Sequence, residues 1–304
     1  MSFDSVVLIK QVPDTARVTG KAMNDDGTVN RSALPAIFNP EDLYALEAAL
    51  EVKQRHGGTV TAITMGPPPA CEVLRDALYM GADRVILLTD RRAAASDTLA
   101  TSYILSCAVR TVGKVDLVFC GRQAIDGDTA QVGPQCAEKL GLPQITYLEE
   151  IVAINGRQIV ARRNIGNGYE VVECAMPVLL TVTDTFQEPR PYAAKAMLKC
   201  KHARSRLELE REAAQSMPGS DEKARAAAVD QKAAELKRRG LLIEQWTLDD
   251  IHADLAWCGR DGSPTKVKRI QSVVLKGSGH EQYQPTEGDI SRLVHQLIED
   301  HTIG

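Results

Sequence analysis

The chain has 304 residues, 44% hydrophobic and 25% charged, with a formal net charge of −4. That balance suits a globular protein of one large domain or two modest ones, and it excludes a global attraction to nucleic acid or an anionic membrane. Aromatics are only 4%, too few for stacking platforms, and no run approaches the ~18 apolar residues of a membrane-spanning helix.

The N-terminal "MSFDSVVLIKQVPD" has a four-residue apolar run with no basic stretch before it. It reads as a strand at Val6 to Lys10 and not as a signal peptide. "NPEDLYALEAALEVKQRHGG" reads as a helix with an Asn39 cap, Pro40 at its first position and a Gly57 stop. Strand-like "TVTAITMG", "RVILLTD" and "VDLVFCG" then alternate with helical "ACEVLRDALYMGAD", "SDTLATSYILSCAVRTVG" (capped by Ser96 or Asp97) and "TAQVGPQCAEKLG". Continuous apolar strands are buried on both faces, as in a parallel sheet. The alternation predicts a doubly wound α/β domain.

From Glu149 to Val182 the pattern changes. Turn signals at Asn155-Gly156 and Gly166-Asn167-Gly168 predict antiparallel strands that extend the same sheet. After "FQEPRP", residues Lys195 to Gly240 are rich in Ala, Glu, Lys and Arg. They read as two polar helices or a helical hairpin largely outside the core. "WCGRDGSPTKVKRIQSVVLKGSG" reads as loop and strand, and "EGDISRLVHQLIEDH" as a short C-terminal helix. The expected division is 1–190, a nucleotide-binding α/β domain; 191–240, a helical insertion; and 241–304, a C-terminal arm. Seven scattered cysteines with no C-x-x-C pair predict reduced thiols in a cytosol-like compartment and no metal or iron–sulfur centre.

The stretch that carries function is "CGRQAIDGDTAQVGP", Cys120 to Pro134. It leaves an apolar strand, holds three glycines and no lysine, and opens into a helix. In parallel sheets ligands bind at the carboxyl ends of the strands. "KQVPDT", "FNPED", "MGPPPA" and this stretch all belong at such ends. Phosphate is expected at the N-terminus of a helix beginning at Thr129, with Gly121, Gly127 and Gly133 allowing close approach. Asp126 and Asp128 read as turn formers and acceptors for a ribose or for backbone. Spacing alone leaves a plain connector as the competing reading. There is no G-x-x-x-x-G-K-[ST], no G-x-G-x-x-G after the first strand and no G-x-S-x-G. The residues describe a nucleotide-binding module with no catalytic side-chain set.

"CGRQAIDGDTAQVGPQCAEKLGLPQI" closely resembles the signature of electron transfer flavoprotein beta subunits. "IKQVPDT", "NPEDLYALEAAL", "TMGPPPACEVLRDALYMGADRVILLTD", "FQEPRP" and "GSPTKVKRI" follow in that family's order. The departure is Arg204 to Gly240, which most relatives replace by a shorter piece. The resemblance implies an adenine nucleotide alpha-hydrolase-like fold and a heterodimer with an alpha subunit, on which the C-terminal arm packs. It implies a nucleotide site at Leu8, Ile9 and Lys10, at Asn39, Pro40, Glu41 and Asp42, and at Met65. The site continues through Gly121, Arg122, Gln123, Ala124, Ile125 and Asp126, then Gly127, Asp128, Thr129, Ala130, Gln131 and Val132. One branch of the family holds a structural AMP there, serving a carrier between an acyl-CoA dehydrogenase and a quinone reductase. The other holds FAD and splits electrons from NADH between ferredoxin or flavodoxin and a partner dehydrogenase. The small residues Gly127, Thr129 and Ala130 favour the FAD branch. Arg122 is expected either near the flavin ring or phosphates or in a salt bridge with a local acid. "EPRPYAAKAMLKCKH" matches the family's dehydrogenase-recognition segment; relatives often carry a leucine where Ala194 aligns, which implies an anchor that is either weaker or shifted to Met197 or Leu198. Two other classes fit less well. Stress-type nucleotide sensors of this fold are about half as long, and an alpha-hydrolase needs an SGGxDS-like loop where this chain has "KQVPDT". The implied location is the cytoplasm.

Overall fold

A computed structural model of the chain describes residues 1–14, 34–266 and 281–299. Four apolar runs form parallel strands: β1 (Ser5–Leu8), β4 (Val60–Met65), β5 (Arg84–Leu88) and β6 (Leu117–Gly121). A two-stranded antiparallel sheet, β2 (Gln11–Pro13) with β3 (Ala36–Phe38), follows β1 and leads into α1 (Pro40–His56). The other crossover helices are α2 (Cys71–Met80), α3 (Thr98–Val112) and α4 (Val132–Leu140). Side chains alternate across the sheet. Val7 packs with α1 and α2 on one face, while Val6 and Leu8 pack with α3 and α4 on the other. Leu46, Ile63, Ile104 and Phe119 are fully buried, each stabilising the fold by roughly 1.5–3 kcal/mol.

The helix signals behave unequally. Asp97 caps α3 as expected, accepting from the Ala100 N–H at 2.9 Å. The fourth helix begins at Val132 rather than Thr129, because Asp128 and Ala130 adopt positive φ (48° and 53°) and break the first turn.

Beyond α4 come β7 (Gln144–Asn155), β8 (Gln158–Asn164), β9 (Tyr169–Ala175) and β10 (Val178–Val182). β7, β8 and β9 are antiparallel neighbours joined at the two turns. "VLLTV" departs from the antiparallel expectation: β10 inserts between β6 and β7 and runs parallel to both. Its five residues are all buried, and a continuous apolar run without alternation belongs in a covered parallel sheet.

The segment after 190 is tied in more deeply than its polar composition suggests. α5 (Ala194–Cys200) is followed by β11 (Arg204–Ser205), α6 (Arg206–Ser216), α7 (Glu222–Arg238) and β12 (Leu242–Trp246). The sheet order is β11-β12-β5-β4-β1-β6-β10-β7-β8-β9, so the sheet runs across both boundaries drawn at 190 and 240. α6 and α7 form the expected helical pair, but Leu209, Val229 and Leu236 are buried in the main core. The Arg75 guanidinium on α2 joins this pair to the domain: it donates to Glu208 at 2.9 Å, to Glu72 at 2.7 Å and to the Ala203 carbonyl at 3.0 Å.

After β12, Leu248, Ile251 and Cys258 pack on the α3 face, and α8 (Gly259–Gly262) adds a single turn. The strand expected after it falls on 267–280 and lies outside the described residues. α9 (Glu287–Glu299) is amphipathic and buries no residue; Ile290, Leu293, Val294 and Ile298 are exposed. Among the described residues no helix is long and apolar enough to cross a membrane, and no cluster of His, Cys, Asp or Glu could hold a metal ion. The seven cysteines are free thiols.

Candidate functional site

β4, β1 and β6 are adjacent and in register, Leu8 standing opposite Ile63 and Cys120. Their carboxyl ends therefore open at one edge. The small β2–β3 sheet folds the chain after β1 back on itself and places Asn39 against Lys10, with the Asn39 N–H donating to the Lys10 carbonyl at 2.9 Å. Gln11 Nε2 donates to the Pro69 carbonyl at 3.3 Å, bringing in the segment after Met65. The three sequence-distant groups of candidate residues thus meet at one end of the sheet. Leu8 and Ile9 are buried beneath it, Met65 is half-buried at the end of β4, and Lys10 and Pro40 are exposed.

The loop after β6 has two halves of different character. In Gly121 to Ile125 the main chain is held by α1 and its cap residue. The Gly121 N–H donates to Asp42 Oδ1 at 3.1 Å, the Gln123 N–H to Glu41 Oε2 at 3.2 Å, and the Ile125 N–H to Asn39 Oδ1 at 3.1 Å. Asn39 Nδ2 donates in turn to the Gln123 carbonyl at 2.9 Å. The Arg122 N–H pairs with the Val182 carbonyl, and its guanidinium forms a two-pronged pair with Glu41 at 2.6 and 3.2 Å, the local acid of the two readings. Asp42 also accepts from the Lys10 N–H at 2.8 Å, so one carboxylate ties the ends of β1 and β6 together. Burial pushes the Asp42 carboxyl up to about 7, against the hydrogen bonds from Asn39, Lys10 and Gly121 and the Lys10 charge, which pull it down.

From Gly127 onward the loop is open. The Gly127 and Asp128 N–H groups turn back to the Ala124 carbonyl. Those of Thr129, Ala130 and Gln131 donate to no described group, and the first N–H groups of α4 have no partner within their helix. Gly127, Asp128, Thr129 and Gln131 are exposed. The halves are bridged by Lys10, whose Nζ lies 2.7 and 2.8 Å from the Asp126 carboxylate oxygens, and by Gln123 Nε2, which donates to Asp128.

The glycines divide the same way. A Cβ on Gly121 would stand 2.5 Å from Asp42 Oδ1 and 2.8 Å from the Glu41 carbonyl carbon; one on Gly133 would stand 2.8 Å from Cys120 Sγ and from Thr181. Those two are glycine because the protein itself occupies the space. A Cβ on Gly127 meets nothing within 4 Å among the described residues, so of the three Gly127 is the one around which the described residues leave space.

The start of α3 belongs to this edge and has no place in the sequence reading. Thr98 Oγ1 donates to Gln131 Oε1 at 2.8 Å. The Asp97 carboxylate accepts from the N–H and hydroxyl of Thr265, which brings the "GSPT" segment alongside. The available signal is that α3, like α1 and α4, begins where a parallel strand ends. The buried Cys120 thiol is pushed well above its ordinary value, and Cys136 up to about 12, both by desolvation, so neither is an activated nucleophile. Two clefts lie elsewhere. One of about 250 Å³, lined by Asp4, Thr59 and Lys114, is at the amino ends of the strands; another of about 470 Å³ is lined by Arg75, Lys201 and Arg211.

The sequence matches the model of the electron transfer flavoprotein domain over residues 26–233. It is 40% identical over 298 residues to the electron transfer flavoprotein subunit beta of Clostridium acetobutylicum, covering 98% of this chain and 99% of the relative. It is 39% identical to the acryloyl-CoA reductase electron transfer subunit gamma of Anaerotignum propionicum, covering 98% of each. It is 41% identical to protein FixA of Azorhizobium caulinodans over 87% of this chain and 83% of that one. The span 204–240 lies inside the segment matched by the first two relatives.

Proposed function

This chain belongs to the electron transfer flavoprotein beta-subunit and FixA family, and from that premise we propose that it binds FAD at the β1–β4–β6 edge and serves electron bifurcation in a heterodimer with an alpha subunit. The observation that carries the FAD reading is the open half of the loop. N–H groups at Thr129, Ala130 and Gln131, unpartnered among the described residues, continue into the first turn of α4, where the helix dipole favours anions. Ala130 at φ 53° beside Gln131 at φ −97° puts a left-handed residue next to a right-handed one, the kind of alternation in which successive N–H groups can receive an anion. No described residue lies within 4 Å of a Cβ at Gly127, so a phosphate group can approach this turn closely, and Lys10 adds a cation at its rim.

When bound, FAD would accept two electrons from NADH and pass them on singly, one to the alpha subunit's flavin and one to ferredoxin or flavodoxin. The chain's own part is to bind and orient. The buried Asn39, Glu41 and Asp42 fix the frame of the loop, and the N–H groups of the open half neutralise phosphate charge. Arg122, held by Glu41, places a fixed positive charge at the edge.

The partner dehydrogenase belongs to the acyl-CoA class; the Anaerotignum relative is named as an electron transfer subunit of acryloyl-CoA reductase. Met197 and Leu198 on α5 are exposed, as the recognition reading requires, with Leu198 the more exposed. The apolar face of α9 is the part of the arm that meets the alpha subunit, and the complex works in the cytoplasm.

The second reading is a structural AMP, favoured by the closed first half of the loop, which needs only one phosphate beyond it. Releasing the nucleotides from the purified heterodimer decides between them. Two FAD and no AMP per heterodimer is the expected result; one of each overturns the bifurcation reading. Reduction of ferredoxin coupled to NADH oxidation is the activity to measure on the two-flavin form.

A further inference from the structure

Asn39 occupies the N-cap position of α1, where an asparagine side chain ordinarily accepts from the helix's own first N–H groups and stabilises it. Here it makes no such bond. The side chain, fully buried, reaches across 84 and 86 residues of sequence to the Gln123 carbonyl and the Ile125 N–H. Glu41 and Asp42 in the next turn also face the loop. The three acceptors meet the N–H groups of residues 121, 123 and 125, every second residue, as a neighbouring strand would meet an extended chain. Gly121 is the residue that lets α1 come so near, its missing Cβ falling on the Asp42 carboxylate and the Glu41 backbone. A helix that gives up its local cap and places two acidic side chains under a loop is arranged for the loop, and such departures from local preference mark functional sites.

We propose that Asn39, with Glu41 beside it, is a positioning residue for the nucleotide: it fixes the Gly121–Ile125 main chain, and through it the direction in which the Gly127–Val132 half is presented. The inference rests on the reading of this edge as a nucleotide site and deepens it. The two halves are joined directly, since the Ala124 carbonyl accepts the N–H groups of both Gly127 and Asp128; a shift of residue 124 moves the turn that precedes the free N–H groups. Ordering the loop before the ligand arrives lowers the entropic cost of binding. Loss of the Asn39 amide leaves one carbonyl and one N–H of the frame without partners and lets that order decay.

The experiment uses the heterodimer with its alpha subunit, loaded with FAD in one arm and AMP in the other, and the variants Asn39→Ala, Glu41→Ala and Glu41→Gln. Two quantities are read: the release rate of the added nucleotide, and amide hydrogen exchange of peptides over 121–130 before loading. Asn39→Ala should release the nucleotide roughly 10- to 100-fold faster, the equivalent of one or two lost hydrogen bonds. Exchange should rise over 122–130 and stay unchanged in β1, β4 and residues 117–120 of β6. Glu41→Gln keeps an acceptor for the Gln123 N–H and should release within about 3-fold of the unaltered protein, while Glu41→Ala should follow Asn39→Ala. If Asn39→Ala does not fold, the two Glu41 variants carry the same comparison. An unchanged release rate in the alanine variants overturns the inference. Equal release from Glu41→Gln and Glu41→Ala, or exchange that rises through the whole sheet, does so as well, because each marks a merely structural role. An unaltered heterodimer that takes up neither nucleotide overturns the nucleotide reading itself.

Discussion

The two halves of the β6–α4 loop share one short stretch of sequence and are built on opposite principles. Residues 121–125 give three alternate N–H groups to the side chains of Asp42, Glu41 and Asn39. Those of residues 129–131 donate to no group among the described residues. Unpaired main-chain groups are tolerated only where water or a ligand reaches them, and Thr129 and Gln131 are exposed. A rigid frame next to a receptive stretch is how a loop binds without first having to order itself.

The largest contrast lies in the glycines. Gly121→Ala drives a methyl group to 2.5 Å from Asp42 Oδ1 and under 3 Å from the α1 backbone, and should destabilise the protein by about 1–3 kcal/mol, the usual cost of overpacking. Gly127→Ala meets nothing among the described residues and should stay within about 0.5 kcal/mol. Denaturant midpoints at constant slope give both values, and equal losses would erase the distinction between the halves.

Gly127→Phe takes the contrast from stability to binding. The fold should persist, while the heterodimer keeps about one flavin, held by the alpha subunit; nucleotide counts on the released cofactors test this. Unchanged content would move the site elsewhere.

A smaller effect follows from Asp42. Its carboxyl is raised from 3.8 to about 7 by burial, so the folded state binds a proton that the unfolded chain has already lost. Stability from this group is complete below the unfolded value and is lost as pH rises through the folded one, a window of roughly pH 4 to 7. Thermal midpoints of the unaltered chain should therefore fall across that window relative to those of Asp42→Asn, whose profile should be flatter. A parallel pair of profiles would show that Asp42 does not titrate there.

The smallest effect is expected at Lys10→Gln. The Lys10–Asp126 pair is half exposed at the lysine, so its loss should cost at most about 1 kcal/mol of stability. The variant should nonetheless weaken nucleotide binding and lessen its salt dependence, because a cation leaves the rim of the receptive half. Titration at two ionic strengths measures this.

Local sequence determined the parallel core. "SVVL", "VTAITM", "RVILL" and "LVFCG" are continuous apolar runs, and their physical meaning, burial on both faces, needs no knowledge of partners. It determined a cap at Ser96 or Asp97, which the structure resolves to Asp97, and the two hairpin turns, all of which depend on neighbours a few residues apart. It also brought the candidate residues to one edge, because helices that follow parallel strands begin at the same end. Tertiary structure alone decided that "VLLTV" inserts between β6 and β7, and that Leu209, Val229 and Leu236 sink into the core from helices that read as polar. It decided the division of the loop as well. Asn39 reads as an ordinary cap and Gly121 as a ligand-side glycine until α1 is seen lying against residues 121–125. Those contacts span some eighty residues of chain, and no periodicity within either segment carries the position of the other.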